Sequence, residues 1–218
     1  MCSEEQAYAY SWANFTELHP VMVARFRECY PEFRLGRLLD LGCGTADMAI
    51  RFAQAYPDVL VFGVDGSDSM LGYGAKAVSG AALLDQIVLA KHLLPDPVLE
   101  GGTFDAVISN SLLHHASDPV GLWRTAARCT RPGAPVMFMD LRRPETEEAA
   151  RELVERYAGR AMPVLKQDFF QSLCAAYTTE EIEEQLHAAG LKGFRVEAIG
   201  DCQVLAWGNA PGSPFGAV

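Results

Sequence analysis

Short apolar runs alternate along the chain with segments of helical spacing, and this alternation restricts the possible folds more than any other feature. The clearest runs are Val59–Asp65, Phe104–Asn110 and Pro135–Leu141. Each run is almost continuously apolar, which is typical of a strand covered on both faces of a parallel sheet. The helical segments between them supply the crossover connections that parallel strands need. The pattern therefore predicts the α/β class.

The complete pattern predicts a doubly wound, Rossmann-like sheet of about seven strands. Two shorter runs, Arg37–Leu41 and Gln86–Ala90, extend its parallel part. Later in the sequence, Gly200 and Asp201 separate two strand-like runs and have the composition of a two-residue hairpin turn. We therefore expect the last strand to be antiparallel to its neighbour.

Residues at the helix boundaries carry signals of their own. Asp118 precedes Pro119, and proline is favoured at the first position of a helix. Thr178 and Glu181 have the spacing of a capping box, and Gly190 follows the last turn of the same helix. The predicted helices accordingly span residues 46–56, 68–79, 118–130 and 178–190.

Two segments do not fit the alternating pattern, and we expect both to be lids. Residues 1–36 are rich in aromatic side chains and are assigned to an N-terminal lid segment, with residues 37–218 as the core. The stretch from about 142 to 177 is too long for a simple connection, which favours a helical lid insertion. It is predicted to hold two helices, around Glu145–Gly159 and Gln167–Ala176.

Composition and charge exclude several classes of function. The 218 residues carry a formal net charge of −10, which repels a nucleic-acid backbone. The six cysteines form no CxxC pair, so neither a metal site nor a disulfide framework is predicted. The sequence shows no signal peptide and no apolar run long enough to span a membrane. We expect a cytoplasmic monomer or homodimer without nucleic-acid or membrane partners.

The stretch LLDLGCGTAD, residues 38–47, places a carboxylate and two glycines where the first strand meets a helix. Gly42 and Gly44 allow a sharp turn and a close approach of the backbone to a ligand. Asp40 suits a cationic group and would repel a pyrophosphate. The dinucleotide-binding fingerprint also requires a third glycine where this chain has Asp47. The loop is consistent with a cationic ligand, or with a plain glycine turn beside a capping acid.

Polar residues end two more strands at the same predicted edge of the sheet. Asp65 ends the second strand, and a carboxylate there can accept hydrogen bonds from both hydroxyls of a ribose. Asn110 ends the fourth strand and leads into His114 and His115. The carboxyl ends of parallel strands form the ligand-binding edge of such sheets. This convergence favours one binding site over several unrelated features.

The motifs LLDLGCGTAD, VFGVDGSDSML and FDAVISNSLLHHASDP resemble the successive motifs of the class I S-adenosylmethionine (SAM)-dependent methyltransferases. The resemblance covers roughly residues 37–141, and the closing hairpin is also consistent with that fold. It implies SAM as the cofactor, which carries a sulfonium and an ammonium group but no phosphate. The cofactor-binding residues that it implies are Asp40, Gly42, Cys43 and Gly44 for the methionine part, Asp65 for the ribose, Gly66, Ser67 and Met70 for the adenine, and Asn110 near the sulfonium.

The sequence departs from this family after the third strand. Many relatives have an Asp-Ala pair there, whose carboxylate meets the amino group of adenine. The corresponding residues here are Ala90 and Lys91. The adenine must therefore be recognised by backbone groups or by another side chain.

The acceptor side of the site is predicted from residues around the same edge. His114 or His115 could act as a general base if the acceptor must lose a proton, or both could only shape the pocket. Tyr10, Phe15 and His19 could face the substrate or simply hold the N-terminal segment to the core. Arg142 could bind an anionic acceptor or lie in solvent.

These features together predict a SAM-dependent methyltransferase that acts on a small molecule. Within the same fold, the alternative is a protein or peptide methyltransferase. From another class, the alternative is a nicotinamide-dependent dehydrogenase, against which Asp40 and the missing third glycine argue. A non-catalytic protein that binds the cofactor is a further alternative.

Overall fold

A computed structural model describes residues 19–212, except residues 95, 97, 98, 100 and 102. Its seven strands form one sheet in the order β3-β2-β1-β4-β5-β7-β6. Strands β1 to β5 are parallel, and β7 is antiparallel to both β5 and β6. The predicted doubly wound sheet with an antiparallel last strand is therefore confirmed. The strands are β1 Leu35–Leu41, β2 Asp58–Asp65, β3 Ile87–Lys91, β4 Ala106–Asn110, β5 Pro135–Leu141, β6 Arg195–Ile199 and β7 Gln203–Asn209.

Helices cover both faces of the sheet because each strand alternates its buried side chains between two cores. One core joins α1, α2 and α3 to one face, and the other joins α4 and α7 to the opposite face. No helix in the described part of the chain has both the length and the apolar composition to cross a membrane. The helices are α1 His19–Cys29, α2 Asp47–Ala55, α3 Asp68–Gly80, α4 Pro119–Cys129, α5 Glu147–Ala158, α6 Pro163–Ala175 and α7 Thr179–Ala189.

Local capping fixes the ends of the helices that the sequence marks most clearly. The Asp118 side chain accepts a hydrogen bond from the Gly121 N–H at the start of α4. Thr178 and Glu181 form the predicted capping box of α7, and Gly190 ends that helix in the left-handed conformation. Only interactions within one turn are involved, so the sequence pattern predicts them directly.

Helix α1 belongs to the core, although it lies within the segment predicted as a lid. Met22 and Phe26 are completely buried, and the Phe26 ring packs edge-on against Phe52 of α2. The hydroxyl of Tyr30, just after α1, lies within hydrogen-bond distance of the carbonyls of Val136 and Gly208. Those carbonyls lie at the start of β5 and the end of β7, at the amino edge of the parallel strands. The helix therefore runs towards the amino edge, and its first residue lies towards the carboxyl edge.

The insertion between β5 and α7 contains two helices, as predicted. Helix α5 and helix α6 share a small apolar cluster with Leu141 at the end of β5 and with Cys202. Cys202 is the last residue of the hairpin turn, which spans residues 200–202 and is one residue longer than predicted. Leu173 is fully buried in this cluster, and Phe170 packs under the guanidinium of Arg151. The second helix begins earlier than predicted, at Pro163, because proline is accommodated in the first turn of a helix. The insertion is thus anchored at the carboxyl edge of the sheet.

Candidate functional site

The turn after β1 has the geometry of a ligand-binding glycine loop. Gly42 and Gly44 have φ values of 72° and 51°, in the left-handed region that favours glycine. The N–H groups of Gly42 and Cys43 both donate to the carbonyl of Val64, which fixes the loop to β2. A Cβ atom added at Gly44 would meet no atom within 4 Å among the described residues. The loop therefore leaves free space beside Gly44.

Asp40 is a buried carboxylate that the described protein satisfies only in part. Its Oδ2 atom is buried without a hydrogen-bond partner among the described residues. The carboxyl also interacts with the N–H of Ala49, in the first turn of α2, where the N-cap residue Ala46 has no capping side chain. Burial and, to a lesser extent, the carboxylates of Asp65 and Asp47 raise the pKa of Asp40 to about 7. A cation placed beside Oδ2 would remove most of this penalty.

Asp65, at the end of β2, is held by two backbone donors. Its two oxygens accept hydrogen bonds from the N–H groups of Gly44, at 3.0 Å, and Ser67, at 2.8 Å. An ionised carboxylate has about four acceptor positions, so each oxygen can accept one more hydrogen bond. The carboxylate is therefore oriented by the fold and can still bind two hydroxyl groups.

The residues after Asp65 form the start of α3 beside the loop that follows β3. Ser67 caps the helix by accepting from the N–H of Met70. A Cβ atom at Gly66 would lie only 2.9 Å from the side chain of Leu93. Gly66, Ser67 and Met70 thus lie at the start of α3, and their contact with adenine stays a prediction.

Cys43 differs from the other predicted residues of the loop because its side chain points into the core. The thiol is buried, and its sulfur lies 2.9 Å from the position that a Cβ atom would occupy at Gly63. Burial raises the pKa of this thiol well above the usual range. Only the main chain of Cys43 can contribute to the open side of the loop.

The two histidines follow β4 in a short 3-10 helix, Leu113–His115, and Asp140 of β5 holds the first of them. His114 Nδ1 lies 2.5 Å from Asp140 Oδ1, and both side chains are buried. The other oxygen of Asp140 accepts from the N–H of Leu113. The pair thus joins two neighbouring strand ends. Asp140 was not among the predicted site residues. The one feature of the sequence that could have indicated it is a single carboxylate within the apolar run PVMFMDL.

His115 lies beside this pair and is more exposed. The ring centroids of His114 and His115 are 4.0 Å apart. Partial burial of the ring and the neighbouring His114 lower the pKa of His115. The carboxylates of Asp140, Asp168 and Asp65 act in the opposite direction but are weaker. A histidine with a lowered pKa is uncharged at neutral pH. Asp168 belongs to α6, which contacts the 3-10 helix and so brings the insertion to the histidines.

Asn110 ends β4 next to a residue with an unusual backbone. Ser111 has a φ of 55° although it is not glycine, and its N–H donates to the carbonyl of Met139 in β5. The Asn110 amide donates to the Ser111 hydroxyl over 3.2 Å. Left-handed non-glycine residues are uncommon and are enriched at functional sites. The turn places Asn110 between the glycine loop and the histidines.

The remaining predicted substrate residues are Tyr10, Phe15, His19 and Arg142. Tyr10 and Phe15 lie outside the described residues, and His19 begins α1, with no side-chain position described. The guanidinium of Arg142 donates to the carbonyl of Asp201 in the hairpin turn, and its buried Nε has no partner in the described part of the chain. Arg143 binds Glu181 at the start of α7 and the carbonyl of Ala176. The role of Arg142 in substrate binding stays a prediction.

Several known proteins with similar sequences or structures are methyltransferases. Residues 38–133 match a family model described as a methyltransferase domain. The 27-O-demethylrifamycin SV methyltransferase of Amycolatopsis mediterranei is 31% identical over 177 residues, covering 80% of this chain and 60% of that protein. The demethylmenaquinone methyltransferase of Halalkalibacterium halodurans is 32% identical over 135 residues, covering 62% and 54%. A SAM-dependent methyltransferase from Aquifex aeolicus superposes with a TM-score of 0.70 at 15% identity, covering 96% of this chain and 100% of that one. The chain thus spans little more than half the length of the two curated relatives.

Proposed function

We propose that this chain, which belongs to the class I SAM-dependent methyltransferase family, transfers the methyl group of SAM to a small organic molecule. The observation that carries the proposal is one oxygen of the buried Asp40, which has no hydrogen-bond partner among the described residues and lies next to an open glycine loop and the oriented Asp65. A buried carboxylate without a partner is costly unless a ligand supplies the missing charge. SAM would supply a cation beside Asp40 and ribose hydroxyls beside Asp65.

The residues of this chain fit the cofactor without any phosphate-binding element. Asp40 would bind the positively charged methionine part, and the main chain at Gly42 and Gly44 would approach it closely. Asp65 would accept hydrogen bonds from the two ribose hydroxyls, while Asn110 would lie near the sulfonium. When bound, SAM supplies a methyl group already activated by the sulfonium. The protein's task is then mainly to position the acceptor and exclude water.

The pair of His114 and Asp140 supports a hydroxyl as the accepting group. The ionised Asp140 accepts a hydrogen bond from the Nδ1–H of His114, so Nε2 would be the atom that takes a proton from the acceptor. The buried Asp140 also stabilises the imidazolium that forms. His115 stays neutral beside it because its pKa is lowered, so no second positive charge opposes the transfer. The rifamycin relative is named as the methyltransferase of a 27-O-demethyl compound, which agrees with a hydroxyl as the accepting group.

The insertion and the N-terminal segment are proposed as the cover of the acceptor pocket. Helix α6 lies against the turn that carries the histidines, and the insertion is anchored on Leu141. Helix α1 has its first residue towards the carboxyl edge, so residues 1–18 join the described chain on the side of the site. We also infer a cytoplasmic monomer or homodimer, on the basis of the sequence alone.

Replacing Asp65 with alanine is expected to weaken the binding of S-adenosylhomocysteine by about 10- to 150-fold. The change removes hydrogen bonds from a charged group to two hydroxyls, a loss of about 1.5–3 kcal/mol. Isothermal titration calorimetry measures this loss of affinity directly. Asp105→Ala is the control, because Asp105 accepts a hydrogen bond from the main-chain N–H of Arg37 at the opposite edge of the sheet. Unchanged affinity would contradict the cofactor assignment, and tighter binding of NAD than of S-adenosylhomocysteine would favour a dehydrogenase.

The affinity for SAM is expected to depend on pH through Asp40. The carboxyl has a pKa raised to about 7 by burial, so it is protonated below that pH, and cation binding must release the proton. The dissociation constant should therefore fall about tenfold per pH unit as the pH rises from 5.5 towards 7, and then level off. Calorimetry in buffers of different ionisation enthalpy should detect about one released proton at pH 6. Asp40→Asn should bind more weakly and show a flat profile, whereas an unchanged profile would exclude Asp40 as the titrating group.

A further inference from the structure

The turn after β3 lies next to the ribose-binding carboxylate. Asp65 and Lys91 are paired in the sheet, and the N–H of His92 donates to the main-chain carbonyl of Asp65 over 3.1 Å. The next residue, Leu93, lies against Gly66. A nucleoside whose ribose is bound by Asp65 therefore has this turn as a neighbour of its base. The inference below rests on the proposed function.

Adenine presents an exocyclic amino group, which needs a hydrogen-bond acceptor. Ala90 has no polar side chain, and Lys91 is a donor only, bound to Asp68. In the described part of this turn, the pair formed by His92 and Asp96 provides the remaining acceptor side chains. The hydrogen-bond acceptor for the amino group of adenine is therefore either this pair or the main chain.

The geometry of the pair determines which atom of His92 can accept. His92 Nδ1 lies 2.6 Å from Asp96 Oδ2. An ionised carboxylate can only accept, so Nδ1 carries the proton and Nε2 of the neutral ring is an acceptor. Each side chain is 22% exposed, so the pair is ordered by the fold but not sealed from the solvent.

Leu93 supplies the apolar surface that a base also needs. Its side chain is 71% exposed, the largest exposure among the large hydrophobic residues described. Its Cδ2 atom lies 2.9 Å from the position that a Cβ atom would occupy at Gly66. A nucleobase has an apolar face and a polar edge, and the exposed leucine beside the oriented histidine matches both.

We propose that His92, oriented by Asp96, accepts a hydrogen bond from the 6-amino group of the cofactor's adenine, with Leu93 against the face of the ring. The His92–Asp96 pair thus determines the specificity for adenine. Hypoxanthine has an oxygen at the same position, which would face the lone pair of Nε2. The protein should therefore discriminate between the two bases.

The test compares S-adenosylhomocysteine with S-inosylhomocysteine by calorimetry. The wild-type protein should prefer the adenine ligand by roughly tenfold or more. His92→Leu should weaken S-adenosylhomocysteine by about tenfold and leave S-inosylhomocysteine within about twofold, so the preference collapses. His92→Gln retains a hydrogen-bond acceptor and should restore part of the preference for the adenine ligand. Thermal melting checks that each variant is folded.

Two neighbouring variants serve as controls. Lys91→Met should keep the wild-type preference because Lys91 binds Asp68 and not the base. Leu93→Ala should weaken both ligands equally, because an apolar contact does not distinguish the 6-position. If folded His92→Leu keeps the full preference for adenine, the proposal is wrong and the main chain reads the base. If the wild-type protein binds neither ligand, the proposed function itself fails.

Discussion

Replacing Asp140 with asparagine is expected to lower kcat by about 10²- to 10⁴-fold, the usual contribution of a general base. The carboxylate now accepts from Nδ1 of His114 and from the N–H groups of Leu113 and Leu141. An asparagine has only one acceptor oxygen for these donors. If its NH₂ group faces His114, the ring is forced into the tautomer whose Nε2 carries a proton and cannot accept another. The histidine then remains in place but cannot take the proton.

The measurement is the rate of methyl transfer from SAM to a hydroxyl acceptor found by screening a panel of phenols and hydroquinones. The affinity for S-adenosylhomocysteine should stay within about threefold, because Asp140 lies on the acceptor side. His115→Gln should retain most of the rate. A normal kcat together with a lower melting temperature would mean that Asp140 only anchors the turn.

Deleting residues 1–18 is expected to abolish methyl transfer, by at least about 100-fold in kcat/KM, and to leave cofactor binding largely intact. Helix α1 packs Met22 and Phe26 into the core, so the fold should survive the removal of the segment before it. The segment joins α1 towards the carboxyl edge of the sheet, where the acceptor must lie. Without a cover, water would reach the sulfonium and weaken the field that acts on both reactants.

The control for this deletion is the removal of residues 213–218. Strand β7 is antiparallel to β5, so the chain leaves it at the amino edge, away from the site. This truncation should keep full activity. Calorimetry with S-adenosylhomocysteine shows whether the cofactor site survives each deletion. Wild-type activity after loss of residues 1–18 would show that the segment does not cover the pocket.

The sequence alone was sufficient where a structure depends on residues close along the chain. The cap of α4 joins Asp118 to Gly121, and the capping box of α7 joins Thr178 to Glu181. The glycine loop and Asp65 were also predictable, because a turn and a strand-end carboxylate are coded within a few residues. The order of strands and helices follows from periodicity in the same way.

Tertiary structure alone decided the features that depend on residues far apart in the sequence. The pair of His114 and Asp140 joins residues 26 positions apart, and the apolar run around Asp140 gives no indication of its partner. Helix α1 was predicted as part of a lid, but its Phe26 ring packs against Phe52 of α2 and belongs to the core. Asp40 shows the same limit, because only the fold determines that one of its oxygens is buried with no partner in the part of the chain that the structure describes. Burial and pairing depend on which surfaces the chain brings together, and a linear pattern records only which residues prefer to be buried.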